Sequence, residues 1–281
     1  MKKIGFIGVG NMAEAMIDGM LQSGEFSSEQ ILVTNKNNSE RLKKIQTKFN
    51  VEYFSKKKLV EKSDVLIIAV KPQDLKDVLL NIKNFIKKDI LIISVVAGVD
   101  IESIINYLGK KLPIIRAMPN TSARVNYSAT AMAVSKNIKD EEVGMAHKIL
   151  SCVGTVHLVE ENNLDAVTGL SGSGPAYVYS FINAMIKGGE EQGLSHELSE
   201  KLAFQTLRGA LEMITVTGSE IDELIVQICS PNGTTVAGLG VLKETFFEDN
   251  IKKAISTATN RSKQLCFENK VGIITPQKTC Q

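Results

Sequence analysis

The chain has 281 residues, 33 Lys+Arg against 31 Asp+Glu, 43% hydrophobic and 23% charged residues. This length suits about two domains with a core that needs neither disulfides nor metals, and the composition excludes a largely disordered chain and a strongly basic nucleic-acid surface. Aromatics at 5% and the absence of Trp argue against a base-stacking platform or an aromatic membrane belt.

In chain order, residues 4–7, 31–34, 65–70, 90–96 and 113–117 form apolar, β-branched runs. They are continuous rather than alternating, as expected of strands buried on both faces. Residues 11–21 carry Met12, Ala15, Met16 and Met20 at helical spacing. Strands separated by helical stretches indicate βαβ units and a parallel sheet, with residues 130–134 and 156–159 as later strands. Residues 36–62 hold nine Lys/Arg and three Asp/Glu, which reads as solvated helix and loop faces. From residue 161 to 267 no strand is predicted. Val178, Phe181, Ile182, Met185 and Ile186 repeat at three and four, as do Leu198, Leu202, Leu207, Leu211 and Ile214. The expected architecture is an α/β domain with a mostly parallel sheet over residues 1–160, an all-α domain over 161–270 and a loose tail over 271–281.

No apolar run reaches the roughly 18–20 residues of a membrane span. The opening run is not followed by a small-residue cleavage site, so no signal peptide is expected. Cys152, Cys229, Cys266 and Cys280 form no C-x-x-C pair, and His147, His157 and His196 are scattered. Reduced thiols, a cytoplasmic setting and no metal site are the expectation.

The clearest chemical signal is Gly8-Val9-Gly10-Asn11-Met12-Ala13. It reads G-x-G-x-x-A between a strand and a helix, the context of a Rossmann dinucleotide fingerprint. Gly8 permits the tight turn, Gly10 lets a pyrophosphate approach, and the helix N-terminus offers N–H groups to it. An NAD enzyme usually places Asp or Glu at the end of the second strand. Here Thr34-Asn35-Lys36 stands instead, which favours NADPH over NADH. Val70-Lys71-Pro72 and Ala97-Gly98 follow later strands, where the nicotinamide half would lie.

Three further segments are hard to explain by packing alone: Met118-Pro119-Asn120-Thr121, Gly169-Leu170-Ser171-Gly172-Ser173-Gly174-Pro175-Ala176 and Ser230-Pro231-Asn232-Gly233-Thr234-Thr235. The last reads as a turn opening a helix. It is either a carboxylate site or a Ser/Thr-capped helix.

With these motifs in this order, the sequence resembles the pyrroline-5-carboxylate reductase family over nearly the whole chain. The resemblance implies a Rossmann-like NADP domain, a helical substrate-binding and dimerisation domain, and homodimers that often assemble further to a decamer. It implies that Ile7, Gly8, Val9, Gly10, Asn11 and Met12 line the cofactor, with Asn35, Val70, Lys71 and Ala97. Neighbouring Lys36, Pro72, Gly98, Met118, Pro119 and Asn120 are candidates by position. Thr234 and Thr235 would hold the substrate with Gly233, and Ser230 would stand close by. Thr235 and Ser230 are the candidate catalytic residues. Three departures from the family pattern stand out: Asn232 replaces a Gly; Lys56 replaces an Asn that would contact the adenosine, and would meet a 2′-phosphate instead; and Thr217-Gly218-Ser219-Glu220 differs, so no substrate contact is expected there. The implied reaction is hydride transfer from NADPH to 1-pyrroline-5-carboxylate, giving L-proline. Two alternatives remain open: a β-hydroxyacid dehydrogenase, for which Lys187 is the nearest catalytic lysine, and a non-catalytic NADP-binding sensor or scaffold.

Overall fold

The computed structural model describes residues 1–36, 38–136 and 138–274. Its first part alternates strands and helices: β1 (Ile4–Ile7), α1 (Asn11–Gln22), β2 (Ile31–Thr34), α2 (Ser39–Phe49), β3 (Glu52–Tyr53), α3 (Lys56–Lys62), β4 (Val65–Ile68), α4 (Pro72–Ile82), β5 (Leu91–Ser94), α5 (Ile101–Leu108), β6 (Ile114–Met118), β7 (Ser128–Val134), α6 (Asp140–Ser151) and β8 (Gly154–Leu158). The eight strands form one sheet in the order β3-β2-β1-β4-β5-β6-β7-β8. Every neighbouring pair is parallel except β6 and β7. A short 3-10 turn, Thr121–Val125, carries the chain from β6 into the antiparallel β7.

The continuous apolar runs follow from helices on both faces. Ile4, Phe6, Val33, Ile67 and Ile93 share one buried cluster with Met16, Ile17 and Met20 of α1 and Ile149 and Leu150 of α6. Ile7, Leu32, Leu66, Ile68 and Ile92 point the other way, onto Leu59 of α3, Leu79 of α4 and Ile104 of α5. Period-2 alternation of direction is present in the strands, but both directions end in apolar surroundings.

The chain continues through α7 (Leu164–Val167), a π-helical turn at Thr168–Gly172, α8 (Gly174–Glu191), α9 (His196–Thr217), α10 (Ile221–Ile228), α11 (Thr234–Glu244) and α12 (Phe247–Ile274). No strand lies within residues 161–267, as the sequence predicts. Among the described residues two compact units emerge: 1–173 with 256–274, and 174–255. The division therefore differs from a single boundary at 160. The segment through the π-helical turn belongs with the sheet because Leu164 is buried among Ala131 and Ala133 of β7, and Asn120 donates to the Ser171 carbonyl at 3.0 Å. The last helix returns to it as well, where the Ser262 hydroxyl donates to Asp165 at 2.6 Å. Residues 271–274, expected to be loose, continue α12, and residues 275–281 of the expected tail lie outside the described residues.

Within the second unit α8 packs against α9. A Cβ at Gly189 would lie 2.7 Å from the Ser199 hydroxyl, so the two backbones approach closely there. Phe181 and Phe247 meet with ring centroids 6.1 Å apart. Among the described residues no helix is long and apolar enough to cross a membrane.

Candidate dinucleotide and substrate sites

The turn from β1 into α1 requires its glycines. Gly8 has φ +96°, and a Cβ there would lie 2.5 Å from the Ala69 carbonyl oxygen. Its N–H donates to the Thr34 carbonyl at 3.0 Å, joining the ends of β1 and β2. At Gly10 a Cβ would meet nothing within 4 Å. This glycine leaves open a cradle at the start of α1, whose N-cap makes no side-chain hydrogen bond. Uncapped N–H groups with the positive end of the helix dipole suit a pyrophosphate.

Beyond this turn lies a cavity of about 530 Å³. Residues 7–10 form one wall, Asn35, Lys36 and Lys56 another, and Val70 with Lys71 a third. Nine sequence-predicted cofactor residues are thus brought together. Asn11, Met12, Pro72, Ala97, Gly98, Met118, Pro119 and Asn120 do not border this cavity. Of these, Ala97 and Gly98 follow β5, and Met118 ends β6. They stand at carboxyl ends of adjacent strands, where dinucleotides extend across such sheets. The Asn120 side chain is engaged internally: it accepts from the Ser122 N–H at 3.1 Å and donates to Ser171. The thiols of Cys152, Cys229 and Cys266 form no disulfide, and Cys280 lies outside the described residues.

Arg41 also lines the cavity, and the sequence reading passed over it. It donates from Nε to the Val9 carbonyl at 3.0 Å, and Nη2 pairs with Glu14 and reaches Asn11 Oδ1 at 3.4 Å. Lys48 shares Glu14 at 3.1 Å and reaches Asp18 at 3.3 Å. Burial alone would raise the Glu14 carboxyl, but Lys48 and Arg41 hold it below the usual carboxylate value. The available signal was position: Arg41 lies in the first turn of the helix after β2, close behind the loop that begins at Asn35. Lys36 pairs with Asp74 at 3.6 Å across the mouth. The end of β2 carries no carboxylate, and Lys36, Arg41, Lys56 and Lys71 border the cavity. These residues fit NADP(H), whose extra phosphate a carboxylate would repel.

The second unit carries the other motif. The Gly233 N–H donates to the Ser230 carbonyl at 2.9 Å, closing a turn. Asn232 takes φ +59°, a left-handed conformation that Asn tolerates. A Cβ at Gly233 would lie 2.3 Å from the Ser230 hydroxyl. Gly233 is the N-cap of α11 and no side chain caps it. Ser230 therefore does not act as a helix cap, and the first-turn N–H groups stand beside the Thr234 and Thr235 hydroxyls, a set suited to a carboxylate. Lys187 is exposed on α8.

Known proteins resolve what these features have in common. Residues 161–265 match the pyrroline-5-carboxylate reductase dimerisation family, and residues 3–98 match the family described as NADP oxidoreductase, coenzyme F420-dependent. Pyrroline-5-carboxylate reductase 2 of Bacillus subtilis is 44% identical over 94% of this chain and 95% of its own length. The chain belongs to the pyrroline-5-carboxylate reductase family. The Methanosarcina acetivorans pyrroline-5-carboxylate reductase is 38% identical over 94% of this chain and 98% of its own. Among solved structures, the pyrroline-5-carboxylate reductase of Coxiella burnetii aligns with a TM-score of 0.87 at 34% identity, covering 94% of this chain and 98% of that one. The pyrroline carboxylate reductase of Plasmodium falciparum, solved with NADP bound, aligns at 0.85 with 30% identity over the same shares.

Proposed function

We propose that this chain reduces 1-pyrroline-5-carboxylate to L-proline with NADPH, the final step of proline biosynthesis. One observation carries the reading: this member of the pyrroline-5-carboxylate reductase family keeps a glycine turn open to a pyrophosphate at the uncapped start of α1.

Bound NADPH supplies a hydride to the carbon of the substrate C=N bond and leaves as NADP⁺. The chain orients and neutralises. Gly10 and the α1 N-terminus hold the pyrophosphate, while Asn35, Lys36 and Lys56 hold the 2′-phosphate. Backbone N–H groups of residues 233–235 hold the substrate carboxylate. The Thr235 hydroxyl accepts a hydrogen bond from the iminium N–H, with Ser230 supporting the turn. Substrate that binds already protonated needs no strong general acid. The ring nitrogen keeps its proton through the hydride transfer and takes a second from solvent afterwards.

Homodimers, assembling further to a decamer without nucleic acid, are the form we propose. Exposed apolar side chains on the helical unit support the dimer. Leu211 is 67%, Val216 72% and Ile228 67% exposed in the single chain. A reducing, cytoplasmic setting suits four cysteines without a paired motif.

The test is NADPH oxidation with 1-pyrroline-5-carboxylate, repeated with NADH and with a panel of β-hydroxyacids and NADP⁺. Imine-dependent oxidation, faster with NADPH, is expected. Hydroxyacid oxidation alone would replace the reading with a β-hydroxyacid dehydrogenase, and tight NADPH binding without turnover would replace it with a sensor.

A further inference from the structure

Asn269 lies four residues beyond the last position matched by the dimerisation family. Its Nδ2 donates to the Gly98 carbonyl at 2.7 Å, across 171 residues of sequence. Gly98 is in the loop between β5 and α5 and has φ +70°. A Cβ on it would lie 3.2 Å from Leu265 Cβ, so α12 rests directly against the loop. Two other anchors hold the neighbourhood. Ser262, buried on the same helix, donates to Asp165. Past the loop, Glu161 accepts from the Ile101 N–H at 2.8 Å and stands 3.6 Å from buried Arg116. A small cavity of about 140 Å³ separates Glu268 and Asn269 from Pro72, Gln73, Val99 and Tyr107. Near its end α12 thus borders the loop after β5 and faces the first turn of α4 across that cavity.

From these contacts we infer that Asn269 is a positioning residue for the nicotinamide loop at Ala97-Gly98. A glycine in the left-handed region leaves the apex free to swing, and a side-chain amide from a packed helix removes that freedom. Small displacements of the surface on which a reactive ring rests cost rate steeply. The inference rests on the proposed cofactor placement, with the ring beyond the carboxyl ends of β4 and β5.

The experiment uses the full chain with Asn269→Ala and Asn269→Asp, the second isosteric but unable to donate as a carboxylate. Dissociation constants are measured for NADPH and for adenosine 2′,5′-diphosphate, which lacks the nicotinamide half. In both variants NADPH is expected to weaken about fivefold, the scale of one hydrogen bond, while adenosine 2′,5′-diphosphate binds as in the wild type. An unchanged ratio of the two constants overturns the inference, whether both ligands weaken together or neither does. Binding is read without turnover, so a chain that fails to reduce the imine would defeat the proposed function and still decide the role of Asn269.

Discussion

In the sheet-bearing unit every residue of β1, β2, β4 and β5 is buried within one chain, whereas α10 and α11 of the helical unit bury none. In α8 the only buried residue is Ile186, and in the 22-residue α9 only Ser199 and Ala203 are buried. Both units are rich in apolar side chains, so hydrophobicity does not separate them. What separates them is where the apolar faces find partners. The sheet packs helices from its own chain on both faces, whereas an apolar surface as large as that of the helices is ordinarily completed by another molecule. A nucleotide site needs a rigid cradle, and the self-sufficient unit provides it.

The contrast breaks most visibly if assembly is removed. Phe204 and Leu211, one heptad apart on α9 and both exposed in the single chain, share a stripe of that helix. The double substitution Phe204→Asp with Leu211→Asp is expected to yield monomers by sedimentation, with helix content retained by circular dichroism. Intact dimers would show that this stripe is not the covered face. In the sheet unit, Ile67→Ala removes a fully buried side chain from the centre of β4. It is expected to lower the unfolding free energy by about 2–5 kcal/mol, read by denaturant titration.

Smaller effects sharpen the division of labour. Thr235→Ala is expected to lower kcat/KM for the imine by about one to two orders of magnitude, with NADPH affinity unchanged. Unaltered kinetics would remove Thr235 from the mechanism. Lys56→Ala should raise the KM for NADPH by roughly fivefold, the scale of one charge-assisted contact, and leave that for NADH alone. Equal effects on both cofactors would place Lys56 away from the 2′-phosphate. The smallest effect concerns pH. Glu14 is held below its ordinary value of 4.5, so its contribution to stability is present above that value and fades as pH falls through the lowered one. Glu14→Gln should flatten the fall in melting temperature on the acid side of pH 4.5 and leave the melting profile near pH 7 parallel to that of the wild type.

Much of this was legible in the residues, for identifiable reasons. The runs at Ile4, Ile31 and Val65 gave strands because burial on both faces leaves a dense apolar signature. The glycine turn was legible because Gly8 and Gly10 answer to backbone geometry rather than to packing. Glu52–Tyr53 escaped because a two-residue, exposed edge strand has no apolar run to read. Arg41 escaped because an arginine amid lysines on an amphipathic helix looks solvated, although its guanidinium turns back to the Val9 carbonyl. The joining of Asn120 to Ser171 and of Asn269 to Gly98 could not be read at all. Such hydrogen bonds span 51 and 171 residues and leave no local pattern. Residues 271–274 escaped because weak periodicity leaves no helical pattern to read, although they continue α12.

Isotope transfer tests the central claim most directly. NADPH carrying deuterium at the transferable C4 position is incubated with the protein and 1-pyrroline-5-carboxylate, and the product is examined by mass spectrometry and NMR. One deuterium at C5 of L-proline, in step with NADPH consumed, is the predicted result. NADPH consumed without labelled proline, or no reaction at any protein concentration, would contradict the account.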